Sequence, residues 1–208
     1  MAVRLDADGD ELVRTTDLPA VNPLTVTMRI YLSVDRNGWS TPWTLYLDSN
    51  NSLHPQADAS GTQFGFRLRK NSASSTVITM MNMAVGAWYF VGFQVNSEIL
   101  ATAYWAAVGA AALSSGTAAF AAGAWFTPSA MKCGDSVFAT EWWNGRVAAI
   151  KIWTAALSAA EIAAERHYIR PRRFANLYGW WPCMAGATER LKDYSKAARN
   201  WTAGGTLT

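Results

Sequence analysis

Two cysteines, two histidines and a charged fraction of 16 % are the scarcities of this 208-residue sequence. Each one removes a class of chemistry. With only His54 and His167, and no Gly-x-Ser-x-Gly around any serine, the sequence offers no nucleophile–base pair of hydrolase type. Zinc, phosphate-loop and dinucleotide spacings are missing as well. Glycoside cleavage needs two carboxylates facing one bond. The strand spacing that supplies them, E-x-D-x-E, does not occur, and Glu141 stands alone before Trp142 and Trp143. Asp6, Asp8 and Asp10 have an alternating spacing, but Gly9 places them at a turn. The chain therefore reads as a non-enzyme.

Cys133 and Cys183 fall in strand-like segments and suit small buried hydrophobes. Free thiols are the favoured reading; a disulfide between sheets remains open, because it depends on a Cβ separation that sequence does not carry. Eighteen basic residues against fifteen acidic ones give a net charge of +3, too mild to mark a nucleic-acid binder. One local cluster, His167, Arg170, Arg172 and Arg173, reads first as a solvated loop and second as an anion site. No apolar run reaches membrane-spanning length; 101–113 is rich in Ala and Gly and interrupted, so membrane insertion is not expected. Met1-Ala2-Val3-Arg4-Leu5 runs into strand-like sequence without a signal-peptide pattern. An extracellular role would then require another exit, such as release within an assembled particle.

What the chain has in quantity is apolar and aromatic material. Half of it is hydrophobic, and it holds eleven Trp. Aromatic and β-branched residues suit pleated, half-buried surfaces. Leu24, Val26, Met28, Ile30, Leu32 and Val34 alternate with polar residues, the two-residue period of a one-sided strand. Further strands are expected over 44–47, 64–69, 77–83, 89–95, 99–105, 131–134, 137–140, 177–184, 191–194 and 201–207. Residues 2–13 read as a strand pair, 48–61 as a loop or short edge hairpin, and 106–123 as a long loop with some strand and a contact surface. Over 144–153, Ala148, Ile150 and Ile152 are expected on one face and Val147, Ala149, Lys151 and Trp153 on the other. A short helix follows near 158–168: Ser158 with Glu161 three residues on is a capping box, and Pro171 limits its extent. Neither a repeat nor a linker divides the sequence. The expectation is one all-β domain over 1–208, a two-sheet antiparallel sandwich with one short helix.

The segment NGRVAAIKIWTAALSAAEIAAERHY resembles the "NGRIDEVRIWNRALSAEEI" stretch of laminin G-like, concanavalin A-like jelly rolls. LDADGDELV is similar to that family's "FDGxDDYV" strand, GAWYFVGFQVN to "GxWYHVAVTYD", and MKCGDS to "LRIGGS". These similarities run in family order along nearly the whole chain. The resemblance implies the sandwich fold, and Trp88, Trp153, Trp180 and Trp181 fall at family core positions. It also implies a Ca²⁺ site at the sandwich rim, with Asp6 and Asp193 at matched positions and Asp8 and Asp10 adjacent. Here the sequence departs from the family: the Gly after the first Asp is Ala7, and "SGNGN" is replaced by SKAARN.

A sugar site would stack exposed aromatics on a pyranose and fix it with a few polar groups. Loop residues Trp39, Trp43, Trp125 and Trp142 (or Trp143) are the candidates, with Asp35 and Asn37 as polar partners. The expected function is a non-catalytic binding or adhesion module, a phage virion component of the tail or capsid-decoration kind, located on a virion or an extracellular surface and contacting glycans or a cell-surface polymer, other virion proteins or its own copies. A secreted lectin-like domain is the alternative, and a glycoside hydrolase is third.

Overall fold

The computed structural model describes all residues except 1, 6–8, 35–37, 59–62, 72–75, 121, 139, 184–188 and 205–208. Fourteen strands among the described residues form two seven-stranded sheets. In chain order they are β1 (Val3–Leu5), β2 (Glu11–Arg14), β3 (Leu24–Leu32), β4 (Trp43–Asp48), β5 (Asn51–Ala57), β6 (Gln63–Arg69) and β7 (Thr76–Asn82), followed by β8 (Trp88–Val95), β9 (Leu100–Ala107), β10 (Ser114–Ala119), β11 (Ala130–Cys133), β12 (Gly145–Trp153), β13 (Leu177–Trp181) and β14 (Thr202–Gly204). The first sheet runs β1-β12-β3-β8-β9-β10, with β13 also against β12; the second runs β14-β2-β11-β4-β5-β6-β7. Every strand pair is antiparallel.

The apolar face read in β3 is realised, but the strand is not half-exposed, since Thr25 and Thr27 on its other face are buried as well. Leu24, Val26, Met28, Ile30 and Leu32 are buried toward the second sheet, while Val34 lies beyond the strand and is exposed. Opposite them, Leu12, Trp43, Leu45, Leu53, Phe64, Phe66 and Leu68 supply the other half of a continuous core. Phe93 of the first sheet stacks on Phe66 of the second at 4.3 Å between ring centroids and meets Trp43 at 5.1 Å. Such ring pairs contribute roughly 0.5–1.5 kcal/mol each beyond their burial.

Helix α1 (Ala159–Glu165) has both halves of the expected capping box: the Glu161 amide donates to Ser158 Oγ, and the Ser158 amide donates to the Glu161 carboxylate at 2.8 Å. Its one apolar face, Ile162, lies on the outer face of the first sheet among Phe90, Tyr104, Trp153 and Leu157. Gly92 lies beneath Ile162 at ordinary packing distance, a Cβ there meeting the Ile162 methyl at 3.6 Å.

Several expectations are corrected. The opening segment is not a strand pair: β1 joins β12 in the first sheet and β2 joins β11 in the second. Within 48–61, read as a loop or short edge hairpin, Ser49 and Asn50 turn the chain from β4 into β5, but β5 is no edge: it lies inside the second sheet between β4 and β6, and all seven of its residues are buried. Residues 137–140 are not a strand where described, and 189–191 form a 3₁₀ turn rather than the start of a strand. In β12 the strict alternation fails because a bulge, with Ala149 at a φ of 51°, shifts the register between Ala148 and Lys151. Val147, Ile150 and Ile152 thereby share the core face, and Lys151 and Trp153 go under the helix. The long loop with some strand expected over 106–123 does contain a strand, β10, the outer strand of the first sheet. Cys133 and Cys183 are buried free thiols, and burial raises both of their pKa values, that of Cys183 to about 12.

Candidate functional site

The polar residues of β5 define the site. Leu53 and Ala57 point into the core, so Ser52, His54 and Gln56 point out of the sandwich. Register then fixes their neighbours: Ser52 opposes Arg69, His54 opposes Arg67, and Gln56 opposes Gly65 on β6. One strand further, Arg67 opposes Val77 and Gly65 opposes Thr79. The outer face of β5–β7 is therefore a row of amide, guanidinium and hydroxyl groups with a gap at Gly65.

Two distant segments cover part of this row. Ser40 and Ala57 exchange backbone hydrogen bonds at 3.3 and 2.8 Å, and the Thr41 amide donates to Glu141 O at 2.9 Å. Thr41 also forms an isolated parallel bridge with Trp142. From the connection between β11 and β12, Phe138 lies edge-on against the His54 ring at 5.9 Å and under the Arg69 guanidinium at 4.7 Å. Ser136 Oγ donates to Glu141 Oε2 at 3.0 Å.

Burial sets the charge states beneath. His54 is fully buried, and desolvation, reinforced by the charges of Arg67 and Arg69, pushes its pKa down to about 3. It is a neutral imidazole at ordinary pH, sealed from solvent. Burial also pushes the Glu141 carboxyl above its usual range, against the Ser136 hydrogen bond and the charges of Arg67 and Arg69. Desolvation lowers the Arg67 pKa, with Glu141 acting to raise it.

Above this layer a cavity of about 320 Å³ opens to solvent. Trp39 forms one wall, with the Arg67 guanidinium 4.4 Å from its ring centroid. Gln56, Asp58, Gln63 and Thr79 add an amide, a carboxylate, a second amide and a hydroxyl. Gly65 lies in the lining between Gln56 and Thr79, and a Cβ there would be 3.0 Å from Ile78 O. Gln56 is 4 % exposed and lines the cavity, and its side-chain amide also interacts with His54 and the Glu141 carboxylate beneath. Asp58 supplies the only carboxylate among the described lining residues, where glycoside cleavage uses two.

The four candidate tryptophans separate. Trp39, 39 % exposed, is in this cavity. Trp142 is half-buried and joined to the Trp39 segment through its bridge to Thr41. Trp125 is elsewhere: it lines a second cavity of about 510 Å³ with Leu18, Pro19 and Glu98, and its Nε1 donates to Ser97 O at 3.1 Å. The two cavities share no described lining residue. Trp43 must be withdrawn as a ligand candidate. It is fully buried against Phe93, because β4 begins at this residue and turns it inward. The alternative Trp143 is buried likewise, edge-on to Phe64.

Of the rim residues expected to hold Ca²⁺, Asp6 and Asp8 lie outside the described residues, as do Asp35 and Asn37 of the sugar expectation. Asp193 is buried, and its two oxygens accept from the amides of Trp180, Ser195 and Arg199 and from Ser195 Oγ, at 2.6–2.9 Å. That set of donors fixes the chain between β13 and β14 and occupies the carboxylate. Among the described residues no group of three His, Cys, Asp or Glu converges as a metal site. Sequence reasoning missed Gln56, Asp58, Gln63, Arg67 and Thr79 as site residues. The signal was present in the polar alternation of Ser52, His54 and Gln56 around Leu53 and Ala57, which has a strand period.

Two face-to-face antiparallel sheets of seven strands each define a jelly-roll sandwich. The chain belongs to the concanavalin A-like lectin/glucanases superfamily, whose Laminin G model matches residues 6–163. No curated protein sequence matches it. Among solved structures, the full-length tailspike protein 2 from an Escherichia coli O157:H7 bacteriophage is similar at 15 % identity and a TM-score of 0.65, over 87 % of this chain and 26 % of the tailspike. The present chain thus spans about a quarter of that protein. A heptameric SAP-like pentraxin from Limulus polyphemus aligns over 100 % of this chain and 93 % of its own, at 15 % identity and a TM-score of 0.60. A putative carbohydrate binding protein from Bacteroides ovatus aligns over 97 % and 60 %, at 9 % identity and a TM-score of 0.57. At these identities the likeness is one of fold. No described helix is long and apolar enough to cross a membrane.

Proposed function

We propose that this protein is a non-catalytic saccharide-binding module of a virion or cell-surface assembly, and that the outer face of β5–β7 is its binding face. The observation that carries the reading is Trp39: a partly exposed indole fixed by Arg67 at the wall of a cavity whose other polar groups are amides, a hydroxyl and one carboxylate. An indole face covers the C–H face of a pyranose, and side-chain amides and carboxylates match its paired hydroxyls. Asp58, the one carboxylate among the described lining residues, favours holding a sugar over cleaving it. The similarity of fold to a phage tailspike supports the virion setting, and that to a putative carbohydrate binding protein supports the ligand class. A secreted lectin would use the same face.

A glycan array tests the reading. The intact protein binds a defined saccharide set, Trp39→Ala loses it, and Trp125→Ala keeps it. A reducing-sugar assay on every glycan retained is expected to show no release above buffer. Absence of binding to any glycan, or release abolished by Glu141→Gln, overturns it.

A further inference from the structure

On the opposite side of the sandwich, the chain after α1 reads RHYIRPRRF over 166–174, with four arginines and no acid. Tyr168, Ile169 and Phe174 are each about half exposed, at 47, 48 and 55 %. Arg172 lies over the Tyr168 ring at 4.7 Å and Arg170 over the Phe174 ring at 5.4 Å. Large apolar side chains in such number are unusual on a loop facing water, and here each aromatic carries a cation on its face.

The backbone of this loop is held from below by a buried ion pair. Lys151 Nζ donates to Glu165 Oε2 at 2.7 Å, to Glu165 O at 3.0 Å and to Tyr168 O at 2.7 Å. Glu165 Oε1 accepts from the Arg172 and Arg173 amides at 2.7 and 2.9 Å, and Trp153 Nε1 donates to Arg173 O at 2.9 Å. Burying a lysine and a glutamate is costly unless every polar atom is satisfied, as it is here. The pair fixes a loop whose own side chains bury little. Arg173 is neutralised by Glu161 at 2.6 Å, whereas Arg170 and Arg172 pair with no carboxylate among the described residues and stand beside the three apolar side chains.

We propose that the 166–174 loop is a docking surface for an anionic phospholipid bilayer, independent of the saccharide cavity. The chemistry is complementary at two depths. Arg170 and Arg172 meet lipid phosphates, and Tyr168, Ile169 and Phe174 enter the headgroup–acyl boundary. Charge selects this occupant: a neutral apolar partner would leave both guanidinium groups desolvated, and a bare polyanion would leave the apolar side chains in water. With the cavity on the second sheet and the loop on the first, the two faces point in opposite directions.

Vesicle co-sedimentation of the whole protein tests this. Vesicles of phosphatidylcholine and phosphatidylglycerol in equal parts are compared with phosphatidylcholine alone, at low and high salt. The protein partitions onto the mixed vesicles only, and salt releases it. Arg170→Gln and Arg172→Gln each lower partitioning about fivefold. Ile169→Ser/Phe174→Ser lowers it further at unchanged salt dependence, and every variant melts within a few degrees of the parent because the altered side chains are exposed. Failure to bind mixed vesicles, equal binding to neutral ones, variants that bind as the parent does, or capture by duplex DNA without capture by vesicles would each overturn the proposal. Trp39→Ala leaves vesicle binding intact, so the fate of the saccharide reading is read separately.

Discussion

Acid should destabilise this protein through one imidazole. His54 is wholly buried on the outer side of β5, under Phe138, with Arg67 and Arg69 beside it. Desolvation and those two positive charges bring its pKa to about 3, against 6.5 for a free histidine. The unfolded chain therefore binds the proton more readily than the folded one throughout that interval. The stabilisation due to the neutral imidazole is complete above about pH 6.5 and is lost as pH falls toward about 3. Each pH unit within the window is worth about 1.4 kcal/mol. Acidification from neutrality to about pH 4.5 thus costs roughly 3 kcal/mol through this group alone. For a chain of this size that corresponds to a fall in Tm of about 6–12 °C. Other carboxylates titrate in the same range, so the informative quantity is a difference. Melting curves of the parent and of His54→Gln, which keeps a polar side chain but no proton to gain, are compared from neutral to acid pH. The parent loses Tm faster below about pH 6.5, and the gap between the two slopes recovers the 3 kcal/mol. Parallel curves would refute the burial of a neutral imidazole and, with it, the packing of the β11–β12 connection over β5.

Lys151→Met leaves Glu165 charged and buried without its partner, and chemical denaturation should show a loss of about 3–5 kcal/mol. Ser158→Ala removes the cap of α1 and should lower stability by about 1 kcal/mol, read as a small shift in Tm with no change in glycan binding. Trp43→Ala empties a core position and should cost about 3–5 kcal/mol by urea denaturation, whereas Trp39→Ala at a partly exposed wall should cost far less.

Much of the scaffold could be read from one-dimensional patterns. β3 alternates apolar and polar residues over its whole length, and the Ser158–Glu161 pair announces its helix; both signals are local and both are realised. What stayed hidden depends on partners far away in sequence. β5 is polar on its outer side and carries Pro55, so it resembles a loop until Phe138, Glu141 and Trp39 are seen to cover it. β1 and β2 are near neighbours in sequence, but which sheet each joins is decided by β12 and β11. Within β12 the bulge at Ala149 reverses the face of every later residue, and an alanine gives no warning of a positive φ. Trp39 and Trp43 are four residues apart and would share one face of a continuous strand. The bridge segment at Ser40 and Thr41 breaks the strand, leaving one indole at the cavity and sending the other into the core.

The central claim is that the outer face of β5–β7 holds a saccharide against Trp39. It is tested most directly by titrating the array-identified glycan while following tryptophan fluorescence in the parent, Trp39→Ala and Trp125→Ala proteins. The account predicts saturable quenching in the parent, affinity weakened about tenfold or more by Trp39→Ala, and affinity unchanged by Trp125→Ala. A Trp39→Ala protein that binds as tightly as the parent would contradict it.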